Sequence, residues 1–209
     1  MNENTLFGSP TPTAIFLSGG GRTLENLLHR VASGSLPIDI RLVLSSSAKV
    51  RGVEIGRSAG IDTRVILKSH HRSDDAYREA MFEPCRQAGA KLIVMAGFLK
   101  HVLIPDDFAG RVINIHPSLI PAFSGEGMYG IHVHQAAIQR GVQFSGCTVH
   151  FVDNAYDHGP IILQRMCVVP QGYSADDLAE AVFELECETL PDAIRMIQAK
   201  PTTEPLGHA

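Results

Sequence analysis

Asn114-Ile115-His116-Pro117 sets an amide and an imidazole two residues apart, directly before a residue that stops regular structure. On an extended strand, side chains two apart point to the same side, so Asn114 and His116 share a face. An amide N–H beside an imidazole is suited to stabilising an oxyanion and moving a proton, which is the work of acyl transfer. Pro117 ends the strand and fixes the chain beyond it. The same triplet also arises without chemistry, when Asn caps a turn and His is a hydrogen-bonded bystander, so the pair by itself is only a candidate centre.

A second candidate lies near the start. Ala14-Ile15-Phe16-Leu17 is an apolar run of strand length, and it leads into Ser18-Gly19-Gly20-Gly21-Arg22-Thr23. Leu24, Leu27, Leu28 and Val31 then recur at helical spacing. Strand, glycine turn and helix together aim free backbone N–H groups at an anion, and the helix dipole adds to the attraction. The glycines permit close approach, while Arg22 and Thr23 add side-chain donors. A nucleotide is a poor fit. The Gly-Lys-Ser/Thr ending of a P-loop is missing, Leu24 stands where a dinucleotide fingerprint needs its third glycine, and Ser45-Ser46-Ser47 fills the place of the ribose-binding acid. A small phosphate monoester fits better, with a tight turn that holds no ligand as the alternative.

The elements that must position these groups alternate between strand and helix. Arg41–Leu44, Thr63–Leu67, Leu92–Met95 and Arg111–Ile115 read as strands. Val53–Ala59 and Asp74–Gln87 read as helices closed by Gly60 and Gly89. The continuous apolar run Leu92–Met95 suits a parallel strand covered on both faces. Phe123–Gly130 is glycine-rich and should be loop, and His132–Gln139 a helix. Cys147, Val149 and Phe151 alternate with Thr148, His150 and Val152 as a period-two strand, and Ile161–Val169 supplies another. Ser174 caps a last helix with Leu178, Ala181, Val182, Leu185 and Thr189 on its apolar face. The pattern predicts an α/β fold with a doubly wound, mostly parallel central sheet and helices on both faces. One domain is expected at 14–200, between polar tails at 1–13 and 201–209.

Composition narrows the classes. Of 209 residues, 44% are hydrophobic, enough for a full core. A net charge of −4 without a basic cluster argues against nucleic acid as partner. Cys85, Cys147, Cys167 and Cys187 are far apart, which fits reduced thiols better than a disulfide framework or a metal site. Neither a signal-peptide pattern nor an apolar run of membrane-spanning length is present, so a soluble cytoplasmic protein is expected, as monomer or homodimer.

Asn114 to Pro121 resembles the signature of the folate-dependent formyltransferases, and Ser145-Gly146-Cys147-Thr148-Val149-His150-Phe151-Val152 resembles that family's strand before a loop. Tyr156-Asp157-His158-Gly159-Pro160 matches the loop itself. The resemblance runs from Ala14 to about Ala199. It implies a Rossmann-like formyltransferase fold in which Asn114, His116 and Asp157 are catalytic, with the Asp157 charge favouring an imidazolium at His116. It implies 10-formyltetrahydrofolate as cosubstrate, lying against Leu99, Lys100, His101 and Val102 and near Asn114, with Phe98, Leu99 and Val102 as an apolar wall and no metal.

Within this superfamily the turn resembles the phosphate site of the members that act on glycinamide ribonucleotide, which falls on Gly21, Arg22 and Thr23. Glu186 matches the carboxylate that contacts the glycinamide; read alone, it is a solvated helix-edge acid. The implied reaction is formyl transfer to the amine of phosphoribosylglycinamide in purine biosynthesis. The alternatives are hydrolysis of the formyl folate, or transfer to another amine. The chain departs from the family pattern in several features. Asp74 stands where many members carry an Arg near the folate tail, and Gly125–Gly130 is longer than the usual loop.

Overall fold

The computed structural model describes residues 9–199. Most of the tail expected at 1–13, and all of that expected at 201–209, lies outside the described residues. Within them run β1 (Thr11–Leu17), α1 (Arg22–Ala32), β2 (Ile38–Ser45), α2 (Arg51–Ser58), β3 (Asp62–Val65), α3 (Asp74–Gln87), β4 (Leu92–Met95), β5 (Val112–His116), α4 (Ile131–Arg140), β6 (Phe144–Phe151), β7 (Ile161–Val168) and α5 (Ala175–Ala199). Short 3-10 turns stand at Lys68–His70 and Asp106–Phe108. The strands form a mostly parallel seven-stranded sheet in the order β3-β2-β1-β4-β5-β6-β7, the α/β architecture expected from the strand–helix alternation. The chain divides into two compact units, at Ile113/Asn114 and again at Ile197/Gln198.

In the first unit β1 is the switch strand. It pairs in parallel with β2 on one side and with β4 on the other. Strand order reverses there, and ligands of open α/β sheets bind beyond the carboxyl ends of the strands at such a point. Ala14 to Leu17 and Leu92 to Met95 are buried along their whole length, as strands covered on both faces require. Phe16 meets the edge of Phe82 at 5.8 Å between ring centroids, and Phe82 tilts against Phe108 at 5.1 Å. Each such ring contributes about 2 kcal/mol by burial. Helix α3 begins where the Ser73 hydroxyl accepts the Ala76 N–H at 3.1 Å, with Asp74 and Asp75 complementing the dipole.

Strand β1 starts at Thr11, three residues before the apolar run that marked it, and β2 likewise starts at Ile38, its partner. Thr11 and Thr13 are buried but hydrogen-bonded. Thr13 donates to the Thr11 carbonyl at 2.8 Å, and Gln198 donates to the Thr11 hydroxyl at 2.7 Å. Polar residues satisfied in this way carry no hydrophobic signal.

In the second unit β6 pairs antiparallel with β7. Strand β6, expected from its period-two pattern, is buried continuously from Ser145 to Phe151, so the alternation of residue types is not an alternation of exposure. The reason is that Thr148 and His150 point at polar partners rather than at water, as described below. Helix α5 opens with a capping box: the Ser174 hydroxyl accepts the Asp177 N–H at 3.2 Å, and the Asp177 carboxylate accepts the Ser174 N–H at 2.9 Å. Leu178, Val182 and Thr189 on its expected face are buried. The Thr189 hydroxyl donates to the Leu185 carbonyl at 2.7 Å, which lets a polar residue join that face. Among the described residues no helix is long and apolar enough to cross a membrane.

Candidate active site

Four polar side chains of the second unit form one connected array. Asn114 and His116 come from the last residues of β5, His150 from the end of β6, and Asp157 from the loop before β7. The Asn114 amide nitrogen lies 3.3 Å from His150 Nε2. That same Nε2 is 3.7 Å from one Asp157 carboxylate oxygen, and the other oxygen is 3.5 Å from His116 Nδ1. His116, His150 and Asp157 are largely withdrawn from solvent, so fields between them are weakly screened. The expected trio of Asn114, His116 and Asp157 is therefore assembled, with His150 as a fourth member.

Hydrogen-bond accounting fixes the roles of both rings. A carbonyl can only accept, so His116 Nε2 donates to the Phe123 carbonyl at 2.9 Å, and His150 Nδ1 donates to the Phe151 carbonyl at 2.8 Å. A neutral His150 then presents its Nε2 lone pair to the Asn114 N–H. One Asn114 proton is engaged in this contact, and the amide carries a second.

The loops around the array are held by their own backbone. Phe123 has φ 52° and Asp157 φ 49°, left-handed conformations that non-glycine residues seldom adopt. At Phe123 this conformation accompanies the carbonyl that receives His116. Two residues on, the Gly125 N–H donates to the Asp157 carboxylate at 2.9 Å, so one loop grips both members of the His–Asp pair. The Thr148 hydroxyl donates to the Ser118 carbonyl at 2.7 Å and accepts the Ile120 N–H at 3.1 Å. Gln164 adds a bond to the Ile120 carbonyl at 3.0 Å, which pins the chain just past His116. Gly159 allows the Asp157 loop to pack: a Cβ there would fall 1.9 Å from the Phe151 carbonyl oxygen.

Burial pushes the His150 pKa below the ordinary histidine value, outweighing the nearby Asp157 and Asp153 carboxylates, and it does the same to His134 on α4. The buried His134 Nδ1 has no hydrogen-bond partner among the described residues. The unfolded chain takes up protons as pH falls through about 6.5, while these folded histidines resist. Their stabilisation is thus complete above that pH and is lost progressively below it. The unfolding temperature is expected to fall between pH 7 and pH 5, with a shallower slope in His134→Gln; a flat profile across that range would contradict the assignment.

The glycine turn follows β1 in the first unit. Gly21 caps α1 at φ 75° with no side-chain cap hydrogen bond. A Cβ on Gly21 would sit 2.6 Å from the Gly52 Cα, so glycine is required here by both conformation and space. Gly21→Ala is expected to raise the Michaelis constant for a phosphorylated substrate roughly tenfold, with a left-handed strain of about 1–2 kcal/mol. Steady-state kinetics beside thermal unfolding checks this, and an unchanged Michaelis constant would remove the turn from binding.

Segment Leu99–Val102 follows β4 in the same unit and contains no regular element. Of its expected apolar wall, only Leu99 is open, at 48% exposure. Val102 is buried, and Phe98 packs on Phe16 at 5.5 Å between centroids, so those two serve the core. Glu186 is half-buried on α5 in the second unit; its charge adds to the burial that pushes the Cys147 thiol up to about 12.

The sequence reading missed His150. Within a strand where polar and apolar residues alternate, nothing in its residue type marks it as enclosed. Phe123 and Gly125 act through the backbone, which no side-chain pattern reports.

The family model for formyl transferases matches residues 12–194. The chain is 35% identical over 178 residues to a chloroplastic phosphoribosylglycinamide formyltransferase of Arabidopsis thaliana, covering 83% of this chain and 60% of that protein. It is 33% identical over 180 residues to the phosphoribosylglycinamide formyltransferase of Escherichia coli (strain K12), covering 85% and 82%. The chain spans 60% of the plant relative's length. Among solved structures, glycinamide ribonucleotide transformylase 1 from Symbiobacterium toebii superposes with a TM-score of 0.82 at 34% identity, over 88% of this chain and 85% of that one. With the match running through β1, the Asn114 strand and most of α5, the chain belongs to the formyl transferase family.

Proposed function

We propose that this chain transfers the formyl group of 10-formyltetrahydrofolate to the amine of phosphoribosylglycinamide. The observation that carries the reading is the array Asn114–His150–Asp157–His116, built in a chain whose relatives bear that activity in their names. In this reading the neutral amine attacks the formyl carbon, and charge develops on the formyl oxygen. The second Asn114 N–H donates to that oxygen, and the positive charge of a protonated His116, both of whose ring nitrogens are engaged, stabilises it. As the tetrahedral adduct collapses, the bond from carbon to the folate nitrogen breaks. The proton lost by the amine passes to that nitrogen, with Asp157 assisting through water.

Gly21, Arg22 and Thr23 hold the substrate phosphate by first-turn N–H groups and side-chain donors, and Glu186 contacts the glycinamide. Leu99, Lys100, His101 and Val102, with Asn114, receive the folate. A cytoplasmic location goes with this reading.

The test is tetrahydrofolate release measured with and without phosphoribosylglycinamide. Release that requires the amine, with one formylated product per folate, supports the proposal. Release of formate independent of the amine would make the chain a hydrolase.

A further inference from the structure

The segment assigned to the folate cannot hold itself in shape. Between β4 and the turn at Asp106–Phe108 the chain has no regular element, and backbone groups that receive a ligand cannot also be used up in a ladder. Contacts from elsewhere in the first unit therefore help to set its conformation, and the side chains of two residues take part.

The first is Ser18, buried at the end of β1 immediately before the glycine turn. Its N–H donates to the Gly97 carbonyl at 3.0 Å. Its hydroxyl accepts the Leu99 N–H at 2.8 Å and lies 2.6 Å from the Ser46 hydroxyl, beyond the end of β2. With two lone pairs and one proton, the Ser18 oxygen can accept from Leu99 and still donate to Ser46. The second is Lys68, whose ammonium donates to the His101 carbonyl at 3.0 Å. That ammonium is itself held by the Asp74 carboxylate at 2.9 Å, and it lies 5.7 Å from the centroid of the Tyr77 ring, which is buried. Asp74, the residue that departs from the family pattern, is thus engaged in steadying Lys68.

We infer that Ser18 and Lys68 are positioning residues for the folate cosubstrate, holding the backbone at Gly97, Leu99 and His101 in the form that receives it. The inference rests on the assignment of Leu99 to Val102 made under the proposed function. Neither side chain needs to touch the reacting atoms. Loss of either lets the segment sample other conformations, and binding must then order it again, which weakens affinity for the folate and leaves the chemical step alone. A half-exposed ion pair such as Lys68–Asp74 contributes little to overall stability, so a change in Lys68 should be visible in binding before it is visible in folding.

The experiment compares Lys68→Met and Ser18→Ala with the unaltered full chain. Lys68→Met keeps the apolar stem and removes the donor, so it decides the matter if Ser18→Ala folds poorly. The expected result is a Michaelis constant for 10-formyltetrahydrofolate raised roughly tenfold in each variant. The constant for the phosphorylated amine and kcat at saturation should stay within about twofold, a split that a general loss of structure does not produce. Hydrogen exchange of residues 97–102 in the ligand-free variants should be faster than in the unaltered chain. Ser46→Ala, which leaves the Ser18 oxygen available to Leu99, should show a smaller effect. If the unaltered chain transfers formyl groups and both variants keep its folate constant, this inference fails alone. If kcat and both constants shift together with a lowered unfolding temperature, the role is only structural and the inference fails. Absence of any folate-dependent transfer by the unaltered chain overturns the functional reading and this inference with it.

Discussion

Asn114→Ala is expected to lower turnover roughly a hundredfold or more, because one preorganised oxyanion donor is worth ~3–4 kcal/mol. The Michaelis constants should change less than turnover, since the donor is needed most where charge develops. The folding cost should be small by comparison. The variant leaves His150 Nε2 without its 3.3 Å partner, a loss of about 1 kcal/mol. Asn114→Asp sharpens the result. It preserves shape and removes the N–H, while adding a second negative charge near Asp157, so it should be at least as inactive as the alanine variant. If either variant keeps turnover near that of the unaltered chain, Asn114 is a strand-end amide and nothing more.

Asp157→Asn should produce the other large loss, again about a hundredfold or more in kcat, the scale on which a proton-handling group acts. The substitution separates charge from architecture. Asn tolerates the left-handed conformation at φ 49°, and its carbonyl oxygen can still accept the Gly125 N–H. What it removes is the negative charge 3.5 Å from His116 Nδ1 and 3.7 Å from His150 Nε2. Thermal unfolding should therefore be nearly unchanged while turnover collapses. Retention of a third or more of the turnover would show that the carboxylate only braces its loop.

Much of this was legible in the sequence, for identifiable reasons. Leu92–Met95 and Asp74–Gln87 could be bounded to the residue, because an unbroken apolar run and a Ser-capped, acid-headed helix each leave a local signature. The beginning of β1 could not, because Thr11 and Thr13 are buried as hydrogen-bonded polar residues. The sharing of a strand by Asn114 and His116 followed from spacing alone, whereas Asp157, 41 positions beyond His116, could be joined to them only by resemblance. His150 escaped notice because it stands in a period-two alternation with Val149 and Phe151, which reports a strand and not a polar partner. In the fold its ring is enclosed by Asn114, Asp157 and the Phe151 carbonyl. The grip of the loop on His116 and Asp157 comes from a carbonyl and an N–H, which every residue possesses.

The central claim is that Asn114, His116 and Asp157 act on a tetrahedral adduct at the formyl carbon. Its most direct measurement uses a folate analogue whose hydrated carbonyl stands in for that adduct. Inhibition constants are determined for the unaltered chain and for Asn114→Ala, His116→Ala and Asp157→Asn, alongside kcat/KM. Affinity for the mimic should fall in proportion to kcat/KM, with a logarithmic slope near one. Inhibition constants that stay level while kcat/KM falls would contradict the account.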